Sequence, residues 1–206
     1  NTNLLATAAE VDKFLVYQGY IYHQILKRDI IIFPRELAAE AAVPASWIAH
    51  WDASVLFSDR DHLPEETKQA IESRERPPEI YIIGSEEVIS KTVEDELHNL
   101  NVAFVGRIGG ATPSEVAVNF AKYQRKISTF GSTESGISAY GGGGSLGGIF
   151  GWGFTEPGSK SYVLARAQTK EDIMSVIAAS ILAHIGKHAP VLFTDGVTID
   201  EITTNY

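Results

Sequence analysis

The apolar residues of this chain fall into short runs, separated by longer segments in which apolar positions recur with helical spacing. Six of these runs are rich in β-branched or aromatic residues and predict strands: Ile30–Phe33, Val55–Phe57, Ile80–Ile83, Val102–Val105, Tyr162–Ala165 and Val191–Phe193. Most of the runs are apolar at successive positions, which is typical of strands covered by helices on both faces of a parallel sheet.

Helical segments alternate with these strands. Apolar spacing and capping residues predict helices over 1–27, 36–49, 63–75, 85–99, 112–123 and 170–185. Pro44 divides the second of them, and Thr112-Pro113-Ser114-Glu115 is a capping box that begins the fifth. Strict alternation with short connections predicts right-handed βαβ units. The predicted fold is therefore α/β, with a doubly wound, mostly parallel sheet in a Rossmann-like three-layer αβα arrangement.

The pattern changes between residues 128 and 161, which are rich in glycine, serine, threonine and aromatic residues. Their apolar positions show neither the periodicity of a helix nor that of a strand. This change divides the chain into three parts. Residues 1–127 form a first α/β repeat unit, 128–161 form an insertion, and 162–206 form a partial second repeat unit that could share the sheet of the first.

An internal repeat supports this division. Three blocks recur in one order with a nearly constant offset: 45–50 with 179–184, 55–59 with 191–195, and 63–67 with 199–203. We expect Ile30–Asp59 and Tyr162–Asp195 to superpose as two βαβ elements, with Asp59 on Asp195 and His50 near His184. The second copy lacks a counterpart of Ile80–Leu97, so either further chain or a neighbouring subunit would complete its sheet.

The same residues resemble the type 2 cell-wall-binding repeat family of prokaryotic surface proteins. The resemblance rests on a strand, a small-residue helix, an apolar strand ending in Asp59 and the Leu-Pro-Glu-Glu helix start at 63–66. It continues through Ile80–Gly84 and Val105–Gly110, covers about residues 29–125, and returns over 161–206. The family docks surface proteins onto anionic wall polymers. The resemblance therefore implies a non-catalytic extracellular module of the cell surface, for anchoring or self-assembly.

One departure from the family bears on polymer binding. The family continues with an Asp-Arg-Tyr-x-Thr-Ala run where this chain has Thr112–Ala117. The arginine of that run is absent, which weakens the expectation of polymer binding at these positions.

Composition narrows the range of partners. The chain has 206 residues and a formal net charge of −9, and its lysines and arginines are scattered. Phosphate binding requires clustered cations, so we expect no nucleic-acid partner. The absence of cysteine excludes disulfides, thiolate metal sites and a cysteine nucleophile. No apolar run approaches the roughly 20 residues of a transmembrane helix.

Motifs that usually carry chemistry lack their structural context here. Gly142–Gly147 matches G-x-G-x-x-G, but no strand precedes it and no helix follows, so we expect no dinucleotide cofactor. His184 and His188 have the spacing of helical metal ligands, yet no third ligand is apparent, and a helix-terminal role suits them better. We predict no catalytic residue, cofactor or metal.

Polar residues at strand ends are the candidate contacts for a ligand or polymer. Arg107, Gly109 and Gly110 follow the fourth strand, and Asp59 and Asp195 follow the second and sixth. Open α/β folds place ligand groups at these carboxyl ends. An aspartate after a strand also serves as a turn or capping residue. The alternatives are therefore an α/β enzyme or a small-ligand-binding domain, including a cytoplasmic regulatory one, with its site at this edge.

The run Ile149–Phe154 interleaves aromatic residues with glycine. It is either a packed flap or an exposed apolar contact, since exposed aromatic clusters usually bind a partner. We expect Phe150, Trp152 and Phe154 to contact a second subunit, and hence a homo-oligomer.

Overall fold

The computed structural model describes residues 3–18, 29–36, 38–51, 53–75, 77–126, 149–155, 161–180 and 189–206. In these ranges the helices are α1 (Leu4–Gln18), α2 (Ala45–Trp51), α3 (Glu65–Glu72), α4 (Lys91–His98), α5 (Pro113–Lys122), α6 (Lys170–Ala179) and α7 (Glu201–Asn205). A 3-10 turn, Ala39–Ala42, precedes α2. The strands are β1 (Asp29–Pro34), β2 (Ser54–Ser58), β3 (Glu79–Ile83), β4 (Phe104–Ile108), β5 (Arg125–Lys126), β6 (Ile149–Phe150), β7 (Val163–Ala165) and β8 (Val191–Phe193).

Four strands form a central parallel sheet in the order β2-β1-β3-β4. Ile31 of β1 is in register with Val55 on one side and Tyr81 on the other, and Tyr81 is in register with Gly106 of β4. The predicted fold class, a mostly parallel sheet flanked by helices, is confirmed.

Both faces of this sheet are buried because the strands are apolar at successive positions. Ile30 and Ile80 are fully buried against the layer of α1, α3 and α4. Ile31 and Tyr81 are fully buried on the opposite face, against α5 and the aromatic residues. Each such side chain contributes about 1.5–3 kcal/mol relative to an exposed position.

The second unit forms a sheet of its own. β7 and β8 are parallel, are connected through α6, and pair with each other rather than with the central sheet. Helix α5 lies between the two sheets, and its Val116, Ala117 and Phe120 are fully buried. One apolar cluster includes both Tyr81 and Val191. The predicted units therefore share a core.

Several element boundaries differ from the sequence prediction. The fourth strand begins at Phe104 rather than Val102, because Val102 packs against the α1, α3 and α4 layer before the strand pairs with β3, and it ends at Ile108, so Arg107 lies within the strand rather than after it. Helix α4 begins at Lys91, since residues 85–90 form turns first. The insertion contributes β6, which pairs antiparallel with β5. Residues 19–28 and 181–188, where longer helices were predicted, lie outside the described residues.

None of the helices in the described ranges combines the length and the apolar character that crossing a bilayer requires.

Candidate functional site

Asp59 lies directly after β2 and pairs with Arg35 at the end of β1. Arg35 Nη1 lies 3.2 Å from Asp59 Oδ1 and 3.4 Å from Oδ2. The two side chains are 47% and 40% exposed. An exposed ion pair of this kind contributes only about 0–1 kcal/mol. A ligand can therefore replace either partner of this ion pair with only a small loss of free energy.

Arg107, by contrast, points its donors into the protein. Its Nε lies 2.8 Å from Glu94 Oε2, and its Nη1 donates to the carbonyls of Gly84 (3.1 Å) and Ser85 (3.3 Å). Its Nη2 donates to the carbonyl of Ser90 at 3.4 Å. The guanidinium thus holds the loop between β3 and α4 against the end of β4 through these hydrogen bonds.

The ion pair with Arg107 shifts the pKa of its acid partner, Glu94. Burial alone would raise the pKa of Glu94, but the hydrogen bond and charge of Arg107, assisted by Lys91, outweigh it. The pKa of Glu94 is therefore lowered, and the ion pair holds α4 onto the end of β4.

Gly109 and Gly110 lie where the backbone packs too closely for side chains. A β-carbon on Gly109 would lie 3.2 Å from the carbonyl oxygen of Gly84, and one on Gly110 would lie 2.7 Å from Val116 N. Asn119 Nδ2 donates to the carbonyl of Gly109 at 2.8 Å. These glycines thus let the loop after β4 pack against both β3 and α5.

The start of α5 is capped as the sequence indicated, with one variation. Thr112 Oγ1 accepts a hydrogen bond from Glu115 N at 3.2 Å. Glu115 Oε2 accepts from Ala111 N at 2.7 Å, one residue earlier than in a reciprocal capping box. Both bonds rigidify the loop that contains Gly109 and Gly110.

Asp195 organises the turn after β8. Its Oδ1 accepts from Val197 N at 2.7 Å, and its Oδ2 accepts from Thr198 Oγ1 at 2.7 Å. Hydrogen bonds from the backbone and side chain of Thr198, and then from Val197, lower the pKa of Asp195. Asp195 therefore acts as a turn-forming residue, which is one of the two roles that the sequence left open for it.

A cavity of about 240 Å³ lies beside this turn. It is lined mainly by the start of α5, the end of β8 and the cap of α7, including Ser114, Gln168, Phe193, Asp195, Thr198 and Asp200. Burial would raise the pKa of Asp200, but hydrogen bonds from Ser114 and Thr203 outweigh it and lower that pKa. The hydrogen bond from Ser114 therefore fixes the carboxylate of Asp200 at one wall of the cavity and links the start of α5 to the cap of α7.

The turns after β2 and β8 have the same local geometry. Asp59 N donates to the carbonyl of His62 at 3.1 Å, and Asp195 N donates to the carbonyl of Thr198 at 3.3 Å. The preceding hydroxyl residue donates to the same carbonyl in each turn. Helices α3 and α7 then begin at the same spacing. Superposition of the complete units stays a prediction; the side chain of His50, and His184 altogether, lie outside the described residues.

The two units differ in how well one sheet face is covered. Ile32 and Leu63 of the first unit are fully buried. Leu164 and Ile199, which are their counterparts in the predicted repeat, are 52% and 45% exposed. β1 has β3 on its second edge, whereas β7 pairs only with β8 within the described ranges. The second unit therefore presents an apolar surface where the first has a covered core.

The aromatic run is packed inside the chain, which corrects the expectation of an exposed contact. Phe150 is fully buried and stacks on Tyr81 with ring centroids 3.5 Å apart. Trp152 is 8% exposed, and its ring lies 5.1 Å from that of Trp47. The apolar surface area of these rings is already used within the chain, so neither ring is available to a second subunit.

Phe154 is only partly buried and packs at the rim of this cluster. Its backbone carbonyl accepts a hydrogen bond from Tyr206 Oη at 2.6 Å. Its ring lies 6.2 Å from that of Tyr162. Of the three predicted subunit contacts, Phe154 is the one whose ring lies at the surface of the cluster.

Other candidate motifs lie outside the described residues, namely Gly142–Gly147, His184 and His188. Among the residues that the structure describes, no three histidine, aspartate or glutamate side chains come together in a group that could hold a metal ion.

Sequence reasoning missed a buried polar network at the base of the sheet. Glu79 is fully buried, forms an ion pair with Arg125 and accepts a hydrogen bond from Tyr81 Oη at 2.9 Å. Burial, and then the charge of Glu79, raise the pKa of Tyr81. An acid at the start of an otherwise apolar strand is a signal that could have predicted a buried cation partner.

The described residues form an open α/β fold in which the central sheet and the β7-β8 pair share one apolar core. No family model matches the chain, and no curated protein matches its sequence. Among solved structures it is similar to Cwp8 from Clostridium difficile, at 21% identity and a TM-score of 0.64. It is also similar to Cwp6 from the same organism, at 19% identity and a TM-score of 0.61. Both likenesses cover 100% of this chain but only 28% of Cwp8 and 26% of Cwp6, and they show a shared fold.

Proposed function

We propose that the chain is a non-catalytic module of a cell-surface protein, which anchors that protein in the envelope or assembles it there. The observation that carries the proposal is the fold shared over its whole length with Cwp8 and Cwp6, which are cell-wall proteins. The chain spans about a quarter of their lengths, as a module of a larger surface protein would. An extracellular location, at the cell surface, follows from the same proposal.

The proposed partner is an anionic envelope polymer, bound at the carboxyl edge of the central sheet. Arg35 and Arg60 provide its cations, because their side chains are 47% and 60% exposed and their ion pairs are with exposed acids. Arg60 Nε also donates to the carbonyl of Glu87 at 2.8 Å, which orients its guanidinium. A polyanion can replace Asp59 and Asp61 at small cost. Arg107 and the glycines at 109 and 110 hold the loops that form this edge, and Asp195 has the equivalent place in the second unit.

Sedimentation with isolated cell walls tests this proposal. The chain should pellet with intact walls and remain in solution after hydrofluoric acid has removed phosphodiester-linked polymers. Replacing Arg35 and Arg60 with Gln should weaken pelleting at least tenfold, whereas Lys13→Gln, on the exposed face of α1, should leave it unchanged. Equal sedimentation of wild type and the double variant would contradict this role for the edge. Failure of the wild type to pellet at all would contradict the proposed function.

Assembly is the second part of the proposal. The surface around Leu164 and Ile199 is apolar where the first unit is covered, and such surfaces bind other protein chains. We propose that it contacts a neighbouring subunit in a homo-oligomer. Light scattering should show association that Leu164→Lys abolishes and Phe14→Lys, on α1, does not. A wild-type monomer at high concentration would rule out this contact.

A small-ligand-binding domain is the alternative function, and the cavity beside Asp195 favours it. In that case a ligand should be displaced by Ser114→Trp, which fills the cavity, while wall binding through Arg35 would be absent. Native mass spectrometry of the chain purified from its host would detect such a ligand.

A further inference from the structure

Arg107 is largely buried, and most of its hydrogen-bond donors are already used within the chain. Its side chain is 14% exposed, and its Nε donates to Glu94 Oε2 at 2.8 Å. Its two terminal nitrogens donate to the backbone carbonyls of Gly84, Ser85 and Ser90. A guanidinium has five N–H donors, so these four bonds leave at most one for a ligand. Any effect of Arg107 on a ligand at this edge is therefore exerted through the loop that contains these carbonyls.

The same loop supports Arg60, one of the two cations proposed to bind the polymer. Arg60 Nε donates to the carbonyl of Glu87 at 2.8 Å, and Ser90 N donates to the carbonyl of Arg60 at 2.7 Å. Both the guanidinium and the backbone of Arg60 thus rest on this loop. The ion pair of Arg60 with Asp61 is 60% exposed on both sides and orients the guanidinium only weakly. The loop therefore fixes the place of Arg60.

Ser90 connects the two arginines directly. Its carbonyl accepts from Arg107 Nη2 at 3.4 Å, while its N–H donates to the carbonyl of Arg60. The neighbouring Ile89 is fully buried and anchors one end of the loop in the core. The other bonds from Arg107 hold the start of the loop. Without them the loop is anchored mainly at one end, so Glu87 can move and take the guanidinium of Arg60 with it.

We propose that Arg107 is a positioning residue for polymer binding, which fixes Arg60 at the carboxyl edge without contacting the polymer. This inference rests on the proposed function and concerns how its binding edge is held. The position requires arginine rather than any cation. A planar guanidinium binds one carboxylate and several carbonyls at once, whereas a lysine ammonium is a compact charge on a flexible stem. Arg107→Lys should therefore keep the ion pair with Glu94 but loosen the loop.

A double-substitution cycle measured by wall sedimentation tests the inference. Arg107→Lys should weaken pelleting about fivefold, as the loss of one exposed ionic contact would. It should cause no further loss in a chain that already has Arg60→Gln, because the two residues act through the same contact. In a chain with Arg35→Gln, which leaves the contact of Arg60 intact, Arg107→Lys should weaken pelleting by the same factor as in the wild type.

Glu94→Gln is the matched control. It removes the ion pair of Arg107, and with it some stability, but leaves the bonds to the three carbonyls, so pelleting should not change. Hydrogen exchange of the Ser90 amide, followed by NMR without polymer, is a second measurement. Because this amide donates to the carbonyl of Arg60, it should exchange faster in Arg107→Lys and at the wild-type rate in Glu94→Gln.

Four outcomes would overturn the inference. Unchanged pelleting of Arg107→Lys would show that a positive charge is sufficient at this position or that the position has no role. Additive losses with Arg60→Gln would indicate an independent contact, and an equal loss in Glu94→Gln would indicate an effect of stability alone. Unchanged exchange at Ser90 would show that Arg107 does not hold the loop. Failure of the wild type to pellet is a separate result, which removes the proposed function and the binding role of Arg107 together.

Discussion

The ring of Phe150 stacks on the ring of Tyr81, with centroids 3.5 Å apart and planes only 3° from parallel. This contact joins the short β6 to the central strand β3. Phe150 and Trp152 of the insertion therefore lie in the core of the first unit rather than at its surface.

Removing that ring should destabilise the chain strongly. Phe150→Ala leaves a cavity between Tyr81, Trp47 and Phe120, and such truncations cost about 3–5 kcal/mol. Urea unfolding followed by tryptophan fluorescence measures the change. Phe14→Ala is the control, because Phe14 is 58% exposed and should cost under about 0.5 kcal/mol. Equal effects of the two substitutions would contradict the burial of Phe150.

A buried ion pair should hold α1 onto the sheet. Arg74 and Asp12 form an ion pair with side chains 5% and 2% exposed. Arg74→Met leaves Asp12 buried without this cation, which should cost about 3–5 kcal/mol. Calorimetric melting should show a large decrease in Tm. Lys13→Met breaks an exposed pair with Glu10 on the same helix and should change stability by no more than about 1 kcal/mol. A similar Tm for the two variants would show that the first pair is not buried in solution.

The ion pair between Arg107 and Glu94 should make the free energy of unfolding depend on pH in the acid range. The lowered pKa of Glu94 means that its contribution to stability is fully present above its ordinary value of 4.5 and is lost as the pH falls through the lower folded value. In Arg107→Gln the part of this contribution that comes from Arg107 disappears, so the variant is less stable than the wild type at pH 7. The difference should narrow as the pH falls from 4.5 through the lower folded value, and what remains comes from the lost hydrogen bonds to backbone carbonyls, which do not titrate. Unfolding free energies measured from pH 7 downwards follow the difference, and a gap that stays constant would contradict the prediction.

Gly110 should not tolerate a side chain. A β-carbon there would meet backbone atoms of Glu115 and Val116 under 3 Å away, so Gly110→Ala should cost about 1–3 kcal/mol. Gly196 has a positive φ of 92°, and a β-carbon there would meet only the side chain of Arg166, at an ordinary contact distance of 3.5 Å. Gly196→Ala therefore isolates the effect of backbone conformation, about 1 kcal/mol. Chemical denaturation measures the loss of unfolding free energy in both variants. A smaller loss in Gly110→Ala than in Gly196→Ala would contradict the close packing at Gly110.

The α/β class and the six apolar strands were predictable from the sequence because they depend on local pattern. Apolar residues at successive positions, as in Ile30–Phe33 and Ile80–Ile83, require burial on both faces whatever the rest of the chain does. The Thr112 cap was predictable for the same reason, since its hydrogen bond spans three residues. The turns at Asp59 and Asp195 were visible as a repeated pattern.

The candidate site was less predictable, because it depends on which distant groups meet. Asp59 and Asp195 lie directly after β2 and β8, and Arg107 lies within the last residues of β4. The partners Arg35, Glu94 and Thr198 decide which of the three side chains faces solvent.

The sequence alone thus determined the alternation of elements, their apolar faces and the related turns, because each depends on neighbours within a few residues. Tertiary structure alone decided that Phe150 and Trp152 are core residues and that the second unit forms its own sheet beside α5. These outcomes depend on burial, which is a property of residues brought together from distant parts of the chain. Local periodicity carries no information about which of two apolar or charged positions another element will cover.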